Sequence, residues 1–136
     1  MNVDIQLKTT IDDDGQTEQH TVKETGRFHQ KGHTGILVFD EITDDGTIHN
    51  FMTMQDGKVS IKRTGAVMMH QQFHLQQKTE NVYHHPHGTI HMETYTSDIR
   101  YHPNAGELTI VYTVKLNGGH ERNHRLNLLF TEEREQ

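Results

Sequence analysis

The sequence predicts an all-β domain, a single up-and-down antiparallel β-barrel of about eight to ten strands. Three observations carry this. Apolar and polar residues alternate with a period of two almost throughout, and no window of eleven or more residues holds a 3.6-residue period. Turn signals built from Asp, Asn and Gly recur at the ~8–12 residue spacing of antiparallel domains. The chain is one domain long at 136 residues. An open sheet with no helix to cover it would leave two edges and one bare apolar face, and closure removes both problems.

Each element follows from its own pattern. Val3, Ile5, Leu7, Thr9 and Ile11 alternate with Asp4, Gln6, Lys8 and Thr10, a half-buried strand that ends in the turn from Asp12 to Gly15. A polar second strand is expected from Gln16 to Thr25, then a break punctuated by Gly26, Gly32 and Gly35, then a strand from Ile36 to about Thr43. Ile48, Asn50, Met52 and Met54 share one face of a fourth strand. Asp56 and Gly57 should turn it back through a type I′ hairpin. Val59, Ile61 and Arg63 share a face of the fifth. Val67, Met69, Gln71 and Phe73 do so in the sixth, despite some helix-friendly composition over 66–77. Pro86 limits a short strand over 81–85. A long strand runs from Thr89 to Tyr101. The two cleanest alternations, Leu108 to Leu116 and His124 to Phe130, come last, and residues 132–136 read as a solvated tail.

Composition narrows the function classes. With no cysteine, disulfides, thiolate metal sites and cysteine nucleophiles are excluded. The net charge of −6 argues against binding a phosphate backbone, so no nucleic-acid partner is expected. No stretch approaches the ~18 apolar residues of a membrane helix, and no membrane partner is expected. The first residues lack the basic and apolar regions of a secretory signal, so a cytoplasmic location is expected. Phosphate-binding glycine loops, His-Glu-x-x-His and nucleophile-elbow motifs are missing. The chain carries 13 His, and protonating them all with the carboxylates ionised would move the net charge from −6 to +7.

From Gly57 onward a run of residues resembles a known family: Gly57 to Gly65, Phe73, Tyr83-His84-His85-Pro86-His87-Gly88, Thr94, and Leu108 to Tyr112. The chain looks like a member of the YwiB-like family of small bacterial β-barrel proteins, a domain family of unknown function with a fold similar to the calycins. The resemblance implies an up-and-down barrel and no particular activity. The Gly-x-Trp signature of true lipocalins is missing, since the chain has no Trp.

Two constellations could carry chemistry. Arg63 has the parity of Val59 and Ile61, so its guanidinium should face the lumen. There it must pair with an internal carboxylate, leave by the barrel mouth, or hold a ligand's acidic group in a bidentate fork. Tyr83 and Tyr112 are expected to join it as ligand-binding groups, with Tyr112 needing a partner for its hydroxyl. The second is the His84–His91 segment. On one strand His85 and His87 would share a face, with His91 and Glu93 at the same parity, a candidate metal set. It is similar to the His-x-His of cupins, except that Glu93 lies six residues past His87 rather than four or five. The pairs His29/His33 and His120/His124 read as solvated loop residues.

The expected function is non-enzymatic binding of a small, partly apolar, anionic molecule in the barrel, with no cofactor. The alternatives are a metal-dependent, cupin-like enzyme using His85, His87, His91 and Glu93, and a filled structural or protein-interaction barrel. The expected partners are a small anionic or amphipathic ligand and a second copy of the chain in a homodimer.

Overall fold

A computed structural model describes residues 1–133, and within them every regular element is a strand. Ten strands follow one another: β1 (Asn2–Asp13), β2 (Gln16–Lys31), β3 (Thr34–Thr43), β4 (Gly46–Gln55), β5 (Lys58–Gly65), β6 (Met69–His74), β7 (Lys78–His85), β8 (Gly88–His102), β9 (Glu107–Leu116) and β10 (Glu121–Glu132). All pair antiparallel with their sequence neighbours except β6 with β7, and β1 also pairs with β10, so the sheet order is β6-β5-β4-β3-β2-β1-β10-β9-β8-β7. The two ends of this sheet meet at β6 and β7. Met68 and His84 exchange backbone hydrogen bonds of 2.9 and 2.8 Å, and Thr79 Oγ1 donates to the Gln72 carbonyl. Further along, Gln76 N–H donates to the Thr96 carbonyl, where a bulge between Thr96 and Asp98 shifts the β8–β9 register. The molecule is therefore an up-and-down, nearly closed barrel, as the alternation implies.

The lumen is unevenly filled. At the end holding the 32–33, 56–57 and 103–106 turns, aromatic rings plug it. Phe28 and Phe130 lie 4.5 Å apart between centroids, and Tyr101 donates its hydroxyl to Gln30 Oε1. Leu37, Met52, Met54, Val59, Phe73, Leu108 and Ile110 are sealed from solvent around them. Each such side chain contributes roughly 1.5–3 kcal/mol by leaving water. At the other end, with the 14–15, 44–45 and 86–87 turns, the inward residues become polar.

Four local expectations change. Gly26 does not break β2. An added Cβ there would stand 2.4 Å from the Val38 carbonyl oxygen, so glycine lets β2 and β3 close on each other and the strand runs on to Lys31. Gly35 likewise lies inside β3, where the Tyr101 hydroxyl occupies the space of a Cβ. The Asp56–Gly57 turn is not type I′, because only Gly57 takes positive φ (72°), and its carbonyl is held by Leu75 N–H at 3.0 Å. The turns at Asp14–Gly15 and Asn117–Gly118 do carry positive φ at both residues. Finally, the start of the expected tail is exposed but not unpaired: Glu132 pairs with Val3 of β1 and Glu133 N–H donates to the Asn2 carbonyl, while residues 134–136 lie outside the described residues.

Candidate functional site

The polar end of the lumen is built by strand parity. On β5, Val59 and Ile61 point inward and Arg63 follows two residues later. On β3, Leu37 and Phe39 are followed by Glu41, and on β4 Asn50 sits between Ile48 and Met52. Register sets Asn50 opposite both Phe39 and Arg63. The result is a compact ionic group in which Arg63 Nη2 donates to Glu41 Oε1 at 3.2 Å and Asn50 Nδ2 donates to the same oxygen at 3.0 Å. Both charged side chains are largely buried, 23% and 16% exposed, so their attraction is screened little by solvent. The Arg63 Nε is buried with no hydrogen-bond partner. Of the fates open to the inward arginine, pairing with an internal carboxylate is the one observed.

Around this group lies a cavity of about 610 Å³. Leu7, Val22, Ile61, Met69 and Leu126 give it an apolar wall. Glu41, Asn50, Arg63, Gln71, Tyr112 and His20 supply polar groups. Gln71 donates to Thr94 Oγ1 at 3.0 Å, which leaves its amide oxygen as an acceptor. Tyr112 packs edge-on against Phe73, with centroids 4.8 Å apart, and burial pushes its hydroxyl well above the usual phenol range. The His124 ring lies tilted beside Tyr112, with centroids 5.1 Å apart. Burial, helped by the Arg122 guanidinium, pushes its imidazole down to about 4. It is an inward residue of β10 and not the solvated loop histidine expected from sequence.

The cavity opens sideways. β2 pairs with β1 along its length from Gln16 to Arg27, but its ladder with β3 stops at Gly26 opposite Phe39. Continuing that register would set Glu24 directly opposite Glu41, both on the inward face. Like charges so placed are destabilising. The wall therefore parts between the first half of β2 and the end of β3, and Gln19, His20, Thr21 and Val22 line the opening.

Of the three ligand-binding candidates, Arg63 and Tyr112 share this cavity. Tyr83 does not line it: it faces inward from β7 near the rim and stacks against His85 at 6.0 Å. The metal set does not assemble. Pro86 and His87 form the β7–β8 hairpin, so His85 pairs with Gly88 and the parity argument fails across the turn. His85 and His87 remain neighbours, with centroids 5.1 Å apart, and His87 N–H donates to His85 Nδ1. His91 and Glu93, however, belong to the outer face of β8, opposite Val82 and Glu80. Glu93 lies 3.7 Å from Lys78 Nζ. Among the described residues no three His, Asp or Glu side chains gather to hold a metal. Glu41 is the residue that sequence reasoning missed. The Leu37-Phe39-Glu41 parity was its one signal, and its partner became visible only with the register.

Comparison with known proteins fits this picture. Residues 5–128 match the family model described as a domain of unknown function (DUF1934). The chain is 28% identical over 133 residues to the uncharacterised beta-barrel protein YwiB of Bacillus subtilis (strain 168), covering 96% of this chain and 92% of that protein. A crystal structure of the ywiB protein from Bacillus subtilis is similar with a TM-score of 0.78 at 24% identity, over 96% of this chain and 92% of the other. At that identity the likeness is one of fold.

Proposed function

Because the chain belongs to the DUF1934 family, whose function is unassigned, we propose a function from its own geometry: non-enzymatic binding of a small, partly apolar molecule bearing an acidic group. The observation that carries this reading is the cavity of about 610 Å³, with one apolar wall and the inward Arg63 lining its polar side. Its size falls within the ~300–1,000 Å³ range of small-molecule sites. A carboxylate would take its hydrogen bonds from the remaining Arg63 donors and the Tyr112 hydroxyl. The acceptors on Glu41, Asn50 and Gln71 suit a hydroxyl, amide or ammonium elsewhere on the same ligand. Glu41 already neutralises much of the arginine, so the site favours an amphipathic ligand with a single acidic group over a multiply charged anion. Binding is favoured over proton transfer by the two perturbed groups present. An imidazole held near 4 is a feeble base, and a phenol pushed upward gives up no proton at neutral pH. The reading includes a cytoplasmic location, which a chain without cysteine permits.

The test is a titration with decanoate and with 1-anilinonaphthalene-8-sulfonate. Saturable one-to-one binding is expected. Arg63→Met should weaken it about tenfold or more, the loss of roughly 1.5–3 kcal/mol from a charge-assisted hydrogen bond, and Arg63→Lys should recover part of it. Equal binding by folded Arg63→Met protein overturns the proposal that an acidic group is held at Arg63, and no saturation overturns it in favour of a barrel that serves only as structure.

A further inference from the structure

The parted wall leaves a second feature that ligand binding does not explain. Gln16–Thr25 of β2 is laddered to β1 on one side and to nothing among the described residues on the other. These ten residues span about 33 Å of edge. The stretch contains no Pro and no register shift; of the devices that blunt an exposed edge it carries only charges, Glu18, Lys23 and the inward Glu24. We propose that this edge is a dimer interface, on which β2 of a second copy pairs antiparallel about a two-fold axis through His20.

The register follows from symmetry and charge. A two-fold axis perpendicular to the sheet pairs residues of equal parity, so each choice of register is named by the residue that faces itself. Only two registers use nine residues of the free edge. Centring on Thr21 sets Glu18 against the partner's Glu24 twice, which like-charge repulsion disfavours. Centring on His20 sets Gln16 against the partner's Glu24, Thr17 against the partner's Lys23, Glu18 against the partner's Val22 and Gln19 against the partner's Thr21. No like-charged pair stands opposed. Glu18 then falls diagonally between the partner's His20 and the partner's Glu24. Within one chain the Glu18 carboxylate already lies 3.6 Å from the His20 ring, and both side chains are about two-thirds or more exposed. The pairing also satisfies the free backbone donors and acceptors of both copies. Because Gln19 to Val22 line the cavity opening, a partner strand seated here lies across the lateral entrance to the lumen. The inference does not depend on what the cavity binds.

The absence of native cysteine makes the register directly readable. Sedimentation of the unmodified protein in a dilution series should show a monomer–dimer equilibrium. Among the single variants Glu18→Cys, His20→Cys and Thr21→Cys, oxidation should crosslink His20→Cys fastest. Its two Cα atoms would sit within the ~4.4–6.8 Å that a disulfide accepts, while the other two residues face different partners. His20→Lys, which sets two ammonium groups face to face, should weaken the dimer about tenfold or more without lowering the melting temperature of the monomer. A protein that stays monomeric at its highest attainable concentration overturns the proposal. So does preferential crosslinking at residue 18 or 21, a dimer indifferent to His20→Lys, or a monomer that instead captures an unrelated extended peptide on this edge.

Discussion

At the residue scale, the open end of the barrel is governed by a few inward polar side chains that share too few partners. Glu41 accepts from both Arg63 and Asn50 through one oxygen. Glu41→Ala should therefore strand two buried donors and cost about 1–3 kcal/mol in urea unfolding. Glu41→Gln keeps a carbonyl for Asn50 while freeing the guanidinium, so it should cost less and bind decanoate several-fold more tightly than the unmodified protein. A decanoate affinity that falls in Glu41→Gln would mean that the carboxylate, and not Arg63, meets the ligand. His124 gives a pH signature. Its value of about 4 in the folded chain lies below the ordinary imidazole value near ~6.5, so the unfolded chain takes up that proton first. The stability it contributes is complete above about pH 6.5 and is lost as pH falls toward 4. The loss is about 1–2 kcal/mol once its partial exposure is discounted. Urea unfolding of His124→Gln beside the unmodified protein should show this component missing between pH 6.5 and 4.

At the scale of elements, strand identity was legible because each strand carries its own period, and inward parity correctly placed Arg63, Tyr112 and Gln71. What the alternation could not supply was pairing between strands. It could not tell that His85 and His87 straddle a hairpin, which turned His91 and Glu93 to the outer face. It could not tell that Gly26 and Gly35 are close-approach positions inside strands, because the neighbours that demand glycine, Val38 and Tyr101, lie far away in sequence. The same lack of register hid the Glu24–Glu41 opposition that parts β2 from β3. Glu24→Gln relieves that opposition, and in hydrogen exchange the amides of residues 23–25 and 40–42 should become more protected as the ladder extends. Unchanged exchange there would mean that the seam is held open by something other than charge. Gly35→Ala tests the packed end: its methyl must displace the Tyr101 hydroxyl from beside Gln30, and a loss of about 1–3 kcal/mol in stability is expected.

At the scale of the whole molecule, the packed end and the open end divide the work. Aromatic and aliphatic side chains from every strand but β7 hold the barrel together, so the open end can carry an incomplete seam and an ionic group without unfolding. Charge acts on the molecule as a unit in a different way. The chain is −6 at pH 7 with its histidines neutral, and its isoelectric point is about 6.1, so modest acidification cancels the net charge by protonating imidazoles. His124, held near 4, contributes nothing to this first step. A protein near zero net charge loses its colloidal repulsion, and one pushed past that point regains it with the opposite sign. Light scattering at low salt should therefore show attraction between molecules strongest near pH 6, and weaker at both pH 7.5 and pH 5. Added salt should flatten the minimum, because these are exposed charges within reach of screening. Attraction that rises steadily from pH 7.5 to pH 5 would contradict this and point to acid exposure of the packed end instead.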